Sequence, residues 1–263
     1  WFTSHLAFSS LVQRLRSMEV ASALSGNTLT VLDDVEGKSA REVKALLAAL
    51  LGVPRFRQRL WFQGPSQEIP DDEVLAAPGK VQLLLLGFAE PEEDADSQMF
   101  AACKNNNCSR LEELLQSLRN PNVKDESGAA LLSHAAATGD VKTMKLLLEA
   151  GADVDSQDKE LATPLLHAVA NPFRDPDEPA RLLIEAGANM NQAMTDGSTP
   201  LVVASKNGHV EVVRLLIEAG ADMNQATADG ATPLSVASEI GHVEVVRLLI
   251  EAGADMNQAK VPT

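Results

Sequence analysis

The sequence predicts a chain of two parts, a small α+β roll followed by an all-α solenoid of about five repeats. Residues Met194–Ala226 return as Thr227–Ala259 at a shift of 33 positions, and the copies differ only at 194/227, 195/228, 198/231, 202/235, 206/239 and 207/240. Self-similarity at a fixed period of this length marks a stack of repeated units. Between Met18 and Phe88 the pattern is instead one of short strands around a single helix, and an acidic stretch with proline separates the two parts.

Composition sets the bounds. The chain has 263 residues, 45% hydrophobic and 22% charged, which is ordinary for globular protein. A formal charge of −15 speaks against nucleic acid or an anionic membrane as the main partner, since both need clustered Lys and Arg. The two cysteines, Cys103 and Cys108, give no disulfide framework. No apolar run approaches the ~18 residues that span a bilayer. The expectation is an intracellular protein, cytoplasmic by default. Residues 1–17 read as an N-terminal tail outside the folded parts. With Arg14, Arg16, several serines and no acid, the tail shares the composition of organellar transit peptides, so targeting by it stays open.

In the roll, Val20 to Leu24 and the alternating Leu29 and Val31 flank Ser25-Gly26-Asn27, a hairpin pattern. Ser39 with Glu42 three residues on predicts a capping box. Val43, Leu46, Leu47 and Leu50 follow at helical spacing, and Gly52 with Pro54 ends the helix. Arg59 to Phe62 and Val81 to Leu86 supply two more strands. Lys38, Lys44 and Lys80 read as surface charge.

The order Leu24-Ser-Gly-Asn-Thr-Leu-Thr, helix, Gly52-Val53-Pro54, Gln58-Arg59-Leu60-Trp61-Phe62-Gln63-Gly64 and Val81-Gln82-Leu83-Leu84-Leu85 resembles ubiquitin. The resemblance implies a β-grasp domain over residues 18–88. Because the chain continues through Gly87-Phe88 into an acidic linker at 89–97, it is similar to an integral ubiquitin-like domain and not to a conjugated modifier. The family's receptor-binding apolar patch falls on Leu24, Trp61 and Leu84, with Gln82 where a histidine is usual, and implies receptors of the ubiquitin system as partners. Trp61 as a half-buried residue, and the roll as a mere solubilising cap, remain alternatives.

The second part, residues 98–260, divides into units at 98–124, 125–157, 158–193, 194–226 and 227–259. Thr199-Pro200-Leu201, Gly208-His209 and Gly220-Ala221-Asp222, with their copies, resemble the ankyrin repeat. The first unit is imperfect, with Leu111, Leu114, Leu115 and Leu118 proposed for its outer helix. The second carries Ala130-Leu131 where Thr-Pro is usual, which should loosen the helix start. The third is three residues longer, through Asn171-Pro-Phe-Arg-Asp-Pro-Asp-Glu-Pro179, read as a stiff loop that could present Phe173. The last copy keeps an apolar outer face where a terminal unit should be polar.

The ankyrin resemblance implies protein binding on hairpin tips and inner helices. The family's contact positions fall on Glu126, Ser127, Thr138, Lys159, Glu160, Asn171, Thr195, Asp196, Ser198, Lys206, Asn207, Asp229, Glu239 and Ile240. His209 and His242 read as turn-fixing residues, His134 and His167 as structural with no carboxylate or thiol completing a metal set, and the cysteines as structural thiols. No triad, phosphate loop or kinase motif occurs. Neither catalysis, a cofactor, a metal nor a small-molecule substrate is expected. The expected function is a non-enzymatic adaptor; the alternative is the regulatory part of a longer enzyme, such as a ligase or kinase.

Overall fold

The computed structural model describes residues 18–22, 28–32, 38–51, 53–62, 69–75, 79–85, 95–170 and 175–257. The chain forms two compact units, the first of Trp1–Glu90 with the short segments Leu115–Arg119 and Glu149–Gly151, the second of the remaining residues from Pro91 to Thr263.

In the N-terminal unit β1 (Met18–Ser22) and β2 (Thr28–Leu32) pair antiparallel, with an irregularity between Val20 and Ala21. Helix α1 (Ala40–Leu51) follows, then a single 3-10 turn at Arg55–Arg57, β3 (Gln58–Phe62) and β4 (Gly79–Leu85). The sheet order is β2-β1-β4-β3, with β4 parallel to β1 and antiparallel to β3. The capping box forms: the Ser39 N–H donates to Glu42 Oε2 at 2.7 Å and the Glu42 N–H to Ser39 Oγ at 3.3 Å. The Ser39 amide, and the Ser39 hydroxyl that donates to the same oxygen at 3.0 Å, hold the Glu42 carboxyl below its usual range.

The buried face of α1 is not the expected one. Ala40, Val43 and Leu47 are fully buried against Leu60, Val81 and Leu83, while Leu46 and Leu50 are 40% and 61% exposed. Ala40, Val43, Lys44 and Leu47 follow the spacing i, i+3, i+4, i+7, and that stripe faces the sheet. Lys44 therefore points inward and is only 3% exposed, correcting its reading as surface charge; Asp71 Oδ1 accepts from its ammonium at 2.6 Å.

The C-terminal unit holds ten helices among its described residues, paired as inner and outer helices: α2 (Ala95–Lys104) and α3 (Cys108–Gln116), α4 (Leu131–Thr138) and α5 (Val141–Glu149), α6 (Pro164–Ala170) and α7 (Asp177–Glu185), α8 (Pro200–Asn207) and α9 (Val210–Glu218), α10 (Pro233–Ile240) and α11 (Val243–Glu251). Inner helix packs on inner helix from α2 to α10. Ala135, Ala168, Ala204 and Ala237 recur at one offset on these helices and are all buried, which lets the backbones approach closely. Leu147, Leu183, Leu216 and Leu249 do the same for the outer row, each at 0% exposure.

Inner helices start where Thr-Pro predicts. Thr199 Oγ1 accepts the Val202 N–H at 3.3 Å, and Thr232 and Ser235 form a reciprocal capping box. Ala130 has no side-chain cap, yet α4 still forms. At the other end Gly208 adopts φ +73°, and a Cβ there would stand 2.7 Å from the His242 ring. That ring donates from Nε2 to the Lys206 carbonyl at 3.0 Å, so it bridges adjacent units.

Three boundaries differ from expectation. Helix α2 begins at Ala95, inside the stretch 89–97, because Ala95 is buried and Asp96 in the first turn favours a helix N-terminus. Leu118 lies beyond α3 in the left-handed region, φ +62°. Pro179 sits in the first turn of α7, where a missing N–H loses no intrahelical bond, so the proline-rich stretch does not exclude helix to its end. Among the described residues no helix is long and apolar enough to cross a membrane.

Candidate protein-binding surface

The second and third units each begin with a hairpin tip that one aspartate ties together. Asp125 Oδ1 accepts the N–H groups of Ser127 at 2.8 Å and Ala129 at 3.0 Å, while Oδ2 accepts from His134 Nε2 at 2.8 Å. Partial burial by itself would raise this carboxyl; the bonds from the Ser127 hydroxyl, the His134 ring and the two amides outweigh it and hold it down at about 2. Asp158 repeats the arrangement with Glu160, Ala162 and His167, the ring bond being 2.9 Å. Both histidines are thus structural, but carboxylates do partner them, and each bonds within its own unit. Among the described residues no group of three His, Cys, Asp or Glu is placed to hold a metal. Cys103 is buried, which pushes its thiol up to about 12, and Cys108 lies 3.3 Å from the Thr143 hydroxyl; both are free thiols.

Successive tips join through the backbone. The Lys159 N–H donates to Ser127 O at 3.0 Å, Thr195 N–H to Glu160 O at 3.0 Å and Ala228 N–H to Asp196 O at 2.9 Å. The result is a continuous row on which Glu126, Ser127, Lys159, Glu160, Thr195, Asp196 and Asp229 are all exposed. Some of these are engaged along the row: Thr195 Oγ1 donates to Glu160 Oε2 at 3.0 Å, and half-buried Ser198 donates to Asp196 at 2.9 Å. From the inner helices Thr138, Lys206, Glu239 and Ile240 are exposed. Asn207 is not: its amide donates to the carbonyls of Val169 at 2.9 Å and Ala170 at 3.3 Å, making it a tie between units.

A groove of about 640 Å³ runs between the last two units. Asp196, Ser198, Lys206, Asp229, Glu239 and Ile240 line it, and all six are contact positions read from the sequence. Five more lining residues, Val202, Thr227, Ala228, Ala231 and Val236, were not singled out. Except for Val236, the signal was there, since the duplicated units differ at each of those positions. Leu24, Asn171 and Phe173 lie outside the described residues. Trp61 and Leu84 lie on β3 and β4, where Trp61 pairs with Gln82 and Leu84 with Arg59.

The profile of a family of ankyrin repeats, three copies long, matches residues 98–194 and 174–260, more than half of the chain. The chain belongs to the ankyrin-repeat family. A mouse (Mus musculus) protein described as "B-cell lymphoma 3 protein homolog" is 33% identical over 106 residues, 37% of this chain. The match spans 24% of that relative, about a quarter of its length. Ankyrin repeats in general mediate binding to other proteins, which fits the exposed row of tips and inner-helix positions.

Proposed function

We propose that this chain is a non-enzymatic adaptor. Its ankyrin stack holds a protein partner on the tips and inner-helix positions from Glu126 to Ile240, and its N-terminal roll, residues 18–88, is a ubiquitin-like module that engages receptors of the ubiquitin system inside the cell. The observation that carries the first half is the backbone-joined row of tips, which presents side chains at fixed spacing on a rigid scaffold. No cofactor is required. The sheet order β2-β1-β4-β3, with one helix between β2 and β3, supports the second half. So does the antiparallel register of β3 with β4, with Trp61 opposite Gln82 and Leu84 opposite Arg59, which brings positions of the family's patch onto adjacent strands.

Photo-crosslinking residues placed at Glu126 or Asp229, against a control at exposed Glu218 on α9, test the stack. Protein adducts in cells from the tip positions and not from the control are expected; equal yields from all three positions would sink the reading. For the roll, affinity capture with the whole chain is compared with Trp61→Ala. Loss of proteasomal or ligase components, with partners of the stack retained, is expected. Unchanged capture of every component would make the roll a passive domain.

A further inference from the structure

The two most similar units differ at six positions, and every one lies in the tip or inner helix; the outer helices and the turns after them are identical. Of the twelve residues concerned, all but Met194, Thr195, Asn207 and Ser235 line the groove between these units. A duplicated unit that keeps its packing residues and alters its groove has changed a surface without changing its scaffold. The alterations also have a chemical direction. Lys206-Asn207 of one copy stands against Glu239-Ile240 of the other, so a cation and an amide are replaced by a carboxylate and an aliphatic side chain.

The groove has an apolar floor, Val202, Ala231 and Val236, beside Ile240, which is 51% exposed. Around it stand the carboxylates of Asp196, Asp229 and Glu239 against the single ammonium of Lys206. An exposed aliphatic residue next to a floor of the same kind gains from covering by another aliphatic side chain. A rim of three carboxylates to one cation favours positive charge on whatever brings that side chain, and it penalises an acidic competitor.

Resting on the reading of the stack as a protein-binding surface, we propose that this groove is its specificity-determining subsite. Its occupant is an extended protein segment carrying an aliphatic side chain flanked by Lys or Arg. The aliphatic side chain sits on Val202, Val236 and Ile240, and the flanking cations face Asp196, Asp229 and Glu239.

The test uses the whole chain and short random peptides displayed for selection, followed by anisotropy titration of a selected peptide and of its charge-reversed version. The paired variant Glu239→Lys with Ile240→Asn gives the last unit the residues its sibling carries at 206 and 207, so the backbone is known to accept them. A thermal melt checks that it folds. Selected peptides rich in Lys and Arg around an aliphatic residue, bound about tenfold or more weakly by the variant, are expected. Binding should also weaken as salt rises, and the charge-reversed peptide should not bind. Selection without basic enrichment, or equal affinity for the variant, overturns the proposal while the crosslinking result still stands for the surface as a whole. Absence of any selected peptide overturns the extended-segment occupant and leaves that same crosslinking result untouched.

Discussion

Helices α9 and α11 have the same sequence, Val-Glu-Val-Val-Arg-Leu-Leu-Ile-Glu, and the same flanking His and Ala, yet they do not have the same environment. Val213 is fully buried, whereas its counterpart Val246 is half-buried. Val210 and Ile217 are half-buried, whereas Val243 and Ile250 are 72% and 44% exposed. The cause is neighbours: α9 packs between α7 and α11, while α11 packs on α9 alone among the outer helices described. Stabilisation in such a stack resides in the interfaces between units as much as in the units, so one sequence has two energetic values. Val213→Ala should cost about 2 kcal/mol in denaturant unfolding, and Val246→Ala less than half of that. Equal costs would mean that the last outer helix is covered as well as its twin. A designed polar capping unit added after the last copy should raise the melting temperature; no change would mean that the exposed Val243, Ile250 and Met256 gain nothing from cover.

A second contrast lies at the tips. Gly128, Gly197 and Gly230 occupy one offset with φ of +84°, +82° and +82°, and the third unit places Leu161 there at φ +61°. A side chain with a Cβ is strained in this region, and Leu161 is 41% exposed, so little burial offsets the strain. Leu161→Gly should stabilise the chain by about 1 kcal/mol. Gly197→Ala should do the reverse with more force, because its Cβ would also stand 2.7 Å from the Ala228 nitrogen. Paired thermal melts decide it, and a destabilised Leu161→Gly would refute the strain argument.

The N-caps give a smaller effect. Thr199→Ala removes an oxygen that accepts the Val202 N–H and should cost about 1 kcal/mol. Ala130→Thr in the uncapped unit should return a similar or smaller amount. Should neither substitution move the denaturation midpoint, these starts are held by packing alone.

What was legible in the sequence was local. The Ser39–Glu42 capping box, the Thr-Pro helix starts and the recurring alanines are set by spacings of a few residues, and the structure has them where those spacings put them. Misreadings came where a distant or non-periodic partner decides. Helical spacing alone gave Val43, Leu46 and Leu50 equal claim to the core; the sheet takes Val43 and leaves the other two out. Lys44 is buried because Asp71, 27 positions away, neutralises it. The Asp125–His134 and Asp158–His167 bonds span nine residues across a turn, a separation belonging to neither helix nor strand period. Of the groove, the exposed rim could be placed by family resemblance, whereas its floor depends on how two units stack.

The Asp–His pairs supply the last contrast between units, and it is a contrast in pH dependence. Asp125 and His134 have their counterparts in Thr227 and Val236 of the final unit, where the neutral Thr227 hydroxyl accepts the Ala231 N–H at 3.0 Å and neither of these two positions carries a titrating side chain. The Asp125 carboxyl is held at about 2 in the folded chain, against ~3.9 when unfolded. A group depressed on folding contributes its full stability above the unfolded value and loses it as pH falls through the folded one. The contribution of Asp125 is therefore complete above pH ~4 and fades towards pH ~2. Asp125→Thr combined with His134→Val, the pair the final unit already uses, keeps an acceptor for the Ala129 amide but removes the titration. Unfolding midpoints measured between pH ~4 and ~2 should fall less steeply in this variant than in the parent chain. Parallel slopes would show that the Asp125 tip bonds contribute no more in the folded chain than water does in the unfolded one.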